Sequence, residues 1–178
     1  MNEVLSLRQK SMWNGFVFEF VAGSGLVVGG LQFPNFAQAK NARLAFHPRN
    51  SSAGDSKIQL YGEDYLLRFE YTRRGFINDI RYTLETPEST VVCTADVIFE
   101  ANKRLPGLRL TAPTRADVLP STAFWKKSFP IVSASGNEIG KIYSPKAITT
   151  RFEWHIHLPS ASPPLQAFLL VVSFLVRR

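Results

Sequence analysis

Near its end the chain carries a stretch, Leu165 to Val176, in which Gln166 and Ser173 are the only polar residues. A helix that is apolar on every side must be surrounded completely, by protein or by lipid. Pro163 and Pro164 precede it, and proline suits a first helical turn because it has no N–H to leave unpaired; Ser162 is placed to cap. Arg177 and Arg178 follow, where positive charge suits the C-terminal end of the helix dipole. Length chooses between the two surroundings. Roughly twelve to fourteen residues rise about 18–21 Å, whereas a bilayer core is about 30 Å thick and takes about 20 residues. Pro159, Pro163 and Pro164 stop the helix from extending upstream. The sequence therefore predicts a helix, residues 163–176, wrapped by the rest of its own chain.

What wraps it is written in period two. Ile148, Thr150, Phe152, Trp154 and Ile156 alternate with Thr149, Arg151, Glu153, His155 and His157, as they do in a strand with one apolar and one polar face. Phe16, Phe18 and Phe20 share a face in the same way, as do Tyr65, Leu67, Phe69 and Tyr71. Ile80, Tyr82 and Leu84 oppose Asp79, Arg81, Thr83 and Glu85. Turn signals separate these runs: Gly23-Ser24-Gly25, Gly62-Glu63-Asp64 and Arg74-Gly75. Longer hairpin loops are expected at Asn50 to Ser56, Leu105-Pro106-Gly107 and Ser135-Gly136-Asn137. Links this short join antiparallel strands and exclude parallel crossovers. The expected fold is mainly β, a closed antiparallel barrel or sandwich in a single domain spanning 1–178, with the apolar helix at its centre.

The 178 residues can bury a sizeable core without a disulfide or a metal. The one cysteine, Cys93, lies in the run Thr90 to Phe99, which reads as a buried strand, so it is expected to be inert. A reducing, cytoplasmic setting is expected from that usage, with the possibility of peripheral membrane contact. Met1 to Lys10 is polar and lacks the apolar core of a signal peptide. The formal net charge of +7 favours acidic partners, nucleic acid or an anionic membrane surface, or serves solubility alone.

Toward the end of the chain, Gly140-Lys141-Ile142-Tyr143-Ser144-Pro145-Lys146 leads to Thr150-Arg151-Phe152-Glu153-Trp154-His155-Ile156, then to a Pro-rich link and the apolar helix. This order resembles the C-terminal part of the tubby-like barrel superfamily, which includes LURP-one-related proteins and phospholipid scramblases. The resemblance implies a closed antiparallel barrel of about a dozen strands threaded by a hydrophobic helix. The chain departs from the scramblases in lacking a Pro-rich N-terminal extension, a cysteine cluster for lipid attachment and an acidic calcium segment. Calcium-dependent scrambling is therefore not expected. The basic phosphoinositide motif of tubby proteins matches no position here.

Motifs that would announce chemistry are few. Gly23 to Gly30 follows a strand, but its spacing is wrong for a dinucleotide fingerprint and no helix begins after it; it reads as a hairpin. His155 and His157 share a strand face with Glu153, and His47 or Glu153 is a conceivable third metal ligand. With Trp154 facing inward, however, the two histidines are expected to face solvent, and no metal is expected. No Gly-x-Ser-x-Gly elbow is present, so neither enzyme nor cofactor is expected from motif. The basic pairs Arg73-Arg74, Lys103-Arg104 and Lys126-Lys127 fall near loops or strand ends, from where they can converge on one rim and hold an anionic head group.

The expected function is a non-enzymatic domain binding an anionic lipid head group or a protein partner. Two alternatives stand beside it. An enzyme with a site assembled from distant residues would bring His155 or His157 to a carboxylate in a polar pocket. A single-stranded nucleic-acid binder would expose aromatics in a basic groove.

Overall fold

A computed structural model describes residues 4–10, 17–32, 56–73, 79–99, 106–120, 128–145 and 152–176. These form β1 (Leu5–Gln9), β2 (Phe18–Val21), β3 (Val27–Gln32), β4 (Ser56–Leu60), β5 (Glu63–Arg73), β6 (Asp79–Glu85), β7 (Val91–Ile98), β8 (Gly107–Ala112), β9 (Ala116–Val118), β10 (Ser128–Ser133), β11 (Glu138–Tyr143), β12 (Glu153–His157) and α1 (Pro163–Val176). Each strand pairs antiparallel with the next, and β12 pairs back onto β1 through Leu5↔Ile156 and Leu7↔Trp154. The result is a closed 12-strand barrel. Closure leaves no strand edge unpaired.

The alternation read from the sequence sets which side of the wall each residue takes. Phe18, Phe20, Leu67, Leu84, Trp154 and Ile156 are buried inside, whereas Lys57, Arg68 and Glu70, one position out of phase, are exposed. The apolar face is thus internal and the charged face external, the reverse of a barrel whose wall meets lipid. No helix among the described residues is long and apolar enough to cross a membrane.

α1 fills the barrel. Leu165 to Phe174 are all buried, with Phe168 and Leu170 at 0% exposure and Phe174 at 1%. At about 1.5 Å per residue the helix is about 21 Å long, close to the height of five- or six-residue strands. It enters from the end where β12 finishes, and Gln166 Nε2 donates to the carbonyls of Leu158 (3.3 Å) and Ala161 (3.1 Å), tying the first turn to the link before it. At the other end Phe174 meets Phe18, with ring centroids 5.0 Å apart, and Phe152, at 4.4 Å. Burying a side chain of this kind is worth about 1.5–3 kcal/mol, which is why the sequence holds so few polar groups here.

Two glycines let neighbouring backbones come close. A Cβ at Gly29 would lie 1.9 Å from the Gln59 carbonyl oxygen of β4, and one at Gly140 would lie 2.4 Å from the His157 carbonyl oxygen. β9 was not foreseen, being only Ala116–Val118. The predicted Ile148–His157 strand is described only as β12 from Glu153, residues 146–151 lying outside the described set.

The connectivity sorts the chain between the two ends of the barrel. Odd-numbered strands run toward one end and even-numbered strands return, so β1–β2, β3–β4, β5–β6, β7–β8, β9–β10 and β11–β12 are all joined at the same end. The other end is closed by short turns such as Ala22–Leu26 and Tyr61–Gly62, and α1 starts there.

Candidate functional site

The outer wall neutralises its own charge. Across β5 to β9 the register sets Glu70 beside Arg81, Arg81 beside Asp96, Asp96 beside Arg109 and Arg109 beside Asp117. Arg81 grips Asp96 with two hydrogen bonds of 2.7 and 3.1 Å, and Arg109 grips Asp117 with bonds of 3.1 and 3.2 Å. Both guanidiniums are held above their ordinary pKa, first by those hydrogen bonds and then by the carboxylate charge. Arg68 pairs with Glu85 at 3.2 Å, and Arg8 pairs with Glu19. Partly exposed pairs of this kind contribute little stability, about 0–1 kcal/mol each; their consequence is electrostatic. The wall has no surplus of positive charge.

The surplus lies between the strands. The sequence joining strands at the long-connection end, with the two residues after α1, holds thirteen of the 21 Lys and Arg but only two of the 14 Asp and Glu, Asp55 and Glu100. Eight basic and twelve acidic residues remain for the strands and the opposite end, a deficit that makes the +7 of the whole chain a property of one set of connections. Of the six residues predicted to bind an anion, Arg73 is the last residue of β5, opposite Asp79 in the β5–β6 register. Arg74, Lys103, Arg104, Lys126 and Lys127 lie outside the described residues. The strand ends that flank them, Arg73, Ile98, Gly107, Val118 and Ser128, belong to the same end of the barrel. Val17 and Phe99, at that end, are apolar and exposed at 43% and 47%.

The second candidate is an open cleft of about 720 Å³ on the outer wall, where β1, β2, β11 and β12 meet the Ala22–Leu26 turn. Its floor is a row set by register: Val21 beside Ser6, Ser6 beside His155, His155 beside Tyr143. Ser6 Oγ lies 2.9 Å from His155 Nδ1, and His155 Nε2 lies 3.3 Å from Glu153 Oε1. If Nδ1 accepts from the hydroxyl, the ring proton sits on Nε2, the nitrogen that faces the carboxylate. Nε2 is buried and its approach to Glu153 lacks hydrogen-bond geometry. Tyr143 stacks on the imidazole, with centroids 5.4 Å apart and planes 20° apart, and Lys141 Nζ lies 5.5 Å from the Tyr143 ring centre. Arg8 and Glu153 form the next row along.

This corrects one expectation. His155 does face outward, but its side chain is only 20% exposed, hydrogen-bonded to Ser6 and stacked on Tyr143. Ser6 and Tyr143 had not been singled out; no local pattern marks them, because Ser6 and His155 stand 149 residues apart. Among the described residues no group of three or more His, Cys, Asp or Glu is placed to hold a metal ion; His47 lies outside them. Cys93 is free and fully buried, and burial pushes its thiol up to about 12.

No family model, curated protein or solved structure matches the chain.

Proposed function

We propose that the chain is a tubby-like barrel that binds anionic lipid head groups through the end from which its long connections leave. The observation that carries this reading is the segregation of charge: Arg8, Arg68, Arg81 and Arg109 of the wall are paired with cross-strand carboxylates, and the basic excess is confined to one set of connections. Arg73, Arg74, Lys103, Arg104, Lys126 and Lys127 are the proposed contacts. A cluster of Lys and Arg attracts an anionic leaflet by about 1 kcal/mol per residue near the surface. The exposed Val17 and Phe99 at the same end add the apolar contact that favours a lipid surface over a free anion. A protein partner with an acidic face is the competing occupant.

The test is co-sedimentation with vesicles of neutral lipid alone and with phosphoinositide added. The chain is expected to bind only the second, and to be released by salt. Replacing Lys126 and Lys127 by Ala should weaken partition by about 30-fold, two residues at about 1 kcal/mol each. Absence of binding to phosphoinositide vesicles at low salt would remove the lipid reading and leave the protein partner.

A further inference from the structure

We infer that the outer-wall cleft is an acyl-transfer site in which Ser6 is the nucleophile, acting on small uncharged esters. The inference is independent of lipid binding, which uses the far ends of other strands. Three observations converge on it. Ser6 is 7% exposed and lines a cleft of about 720 Å³, within the range of small-molecule sites. Its hydroxyl is 2.9 Å from an imidazole nitrogen, within reach for proton transfer. The other imidazole nitrogen faces a carboxylate at 3.3 Å without yet making a good hydrogen bond.

That last contact argues for chemistry over mere bracing. With Nδ1 accepting from Ser6, Nε2 carries the proton and is buried without a hydrogen-bond partner, which is costly, so a purely structural His155 gains little from that arrangement. Once the ring accepts the Ser6 proton it becomes a cation, and the Glu153 carboxylate then stabilises it directly. The interaction is strongest where charge develops, which is what lowers a barrier. The roles of the two ring nitrogens are the reverse of those in chymotrypsin-like triads, with the hydroxyl on Nδ1 and the carboxylate facing Nε2.

The proposed steps balance without any outside oxidant or reductant. Ser6 Oγ bonds to the ester carbonyl carbon as its proton passes to His155 Nδ1. The carbon–oxygen bond to the leaving group breaks, and the departing alcohol takes that proton, leaving acyl-Ser6. Water then adds to the acyl carbon, passing a proton to Nδ1, and Ser6 leaves with it; the products are a carboxylic acid and an alcohol. Arg8 lines the same cleft, but its guanidinium is held by Glu19 and has no role in the steps. Glu153 and the Arg8–Glu19 pair leave no net positive charge to attract an acidic substrate, hence uncharged esters.

The experiment is labelling of the full chain with a short alkyl fluorophosphonate, in which serine attack on phosphorus expels fluoride, followed by peptide mapping. A single adduct is expected at Ser6, absent in Ser6→Ala. His155→Ala should slow labelling by about 100-fold or more, the usual contribution of a general base. Glu153 is a positioning residue: Glu153→Gln should slow labelling at unchanged melting temperature, and Glu153→Asp should restore part of the rate. Hydrolysis of p-nitrophenyl acetate should be lost in Ser6→Ala. Should His155→Ala not fold, the Ser6 and Glu153 variants decide. A folded wild-type chain that gives no adduct at Ser6, labels elsewhere, or labels equally fast without His155 overturns the inference. Vesicle binding would be unaffected by that outcome.

Discussion

Gly29 and Gly30 are neighbours in β3, yet the barrel should respond to their replacement with opposite signs. A methyl group at Gly29 would meet backbone on β4: the Gln59 carbonyl oxygen at 1.9 Å, its carbon at 2.8 Å and Leu60 Cα at 3.0 Å. No rotamer change relieves a clash with main chain, so β3 and β4 must part by more than about 1 Å. Paired strands sit about 4.8 Å apart, and hydrogen bonds weaken steeply beyond their normal length. Losing two ladder bonds at about 1 kcal/mol each, with their groups poorly satisfied, costs about 3 kcal/mol. For a domain of this size that lowers the melting temperature by about 6–12 °C. At Gly30 the nearest atom to the added methyl is the Phe18 carbonyl oxygen at 3.5 Å, an ordinary contact. Gly30→Ala should gain about 0.5 kcal/mol through the smaller entropy of the unfolded chain. Thermal melts of both variants, followed by near-UV circular dichroism, make the comparison. Equal melting temperatures for the two would refute the reasoning.

Other outcomes follow from the core. Ser173 is 0% exposed on α1 and its hydroxyl has no hydrogen-bond partner among the described residues, so Ser173→Ala should stabilise by about 1 kcal/mol in urea titrations. Stability should also fall in alkali. The Cys93 thiol is pushed up from 9.0 to about 12 by burial, and the Tyr65 phenol from 10.0 to about 12, by burial first and then by its hydrogen bond to Glu63. Both groups hold their protons more tightly when folded. Their contribution is therefore complete below about pH 9 and is lost as the pH rises toward about 12. Urea midpoints that stay level from pH 8 to pH 11 would contradict this.

What could be read from the sequence was local. The strand faces and α1 were legible because alternation, helix length and bracketing prolines depend only on near neighbours. The turn after β4 was misplaced slightly: Gly62-Glu63-Asp64 was expected, but Tyr61 and Gly62 make it, with positive φ of 52° and 86°. Tyrosine is not a residue that announces such a conformation. Nothing in the sequence distinguishes Gly29 from Gly30, since the difference lies in how closely β4 approaches. The Ser6–His155–Glu153 contact was illegible for a related reason. It depends on barrel closure between β1 and β12, and a one-residue slip in that register would put Ser6 opposite another side chain. The residues proposed to bind an anion are the reverse case: apart from Arg73, at the end of β5, their place in connections is plain in the sequence, and the up-and-down order of the strands is what directs those connections to one end.

The whole account depends on α1 being enclosed by the strands, and amide hydrogen exchange tests that most directly. Amides of Leu165 to Phe174 should exchange only through global unfolding, with the same free energy as the slowest amides of β7 and the same response to urea. Exchange of these amides within minutes, while the strands remain protected, would mean that the helix lies outside the barrel.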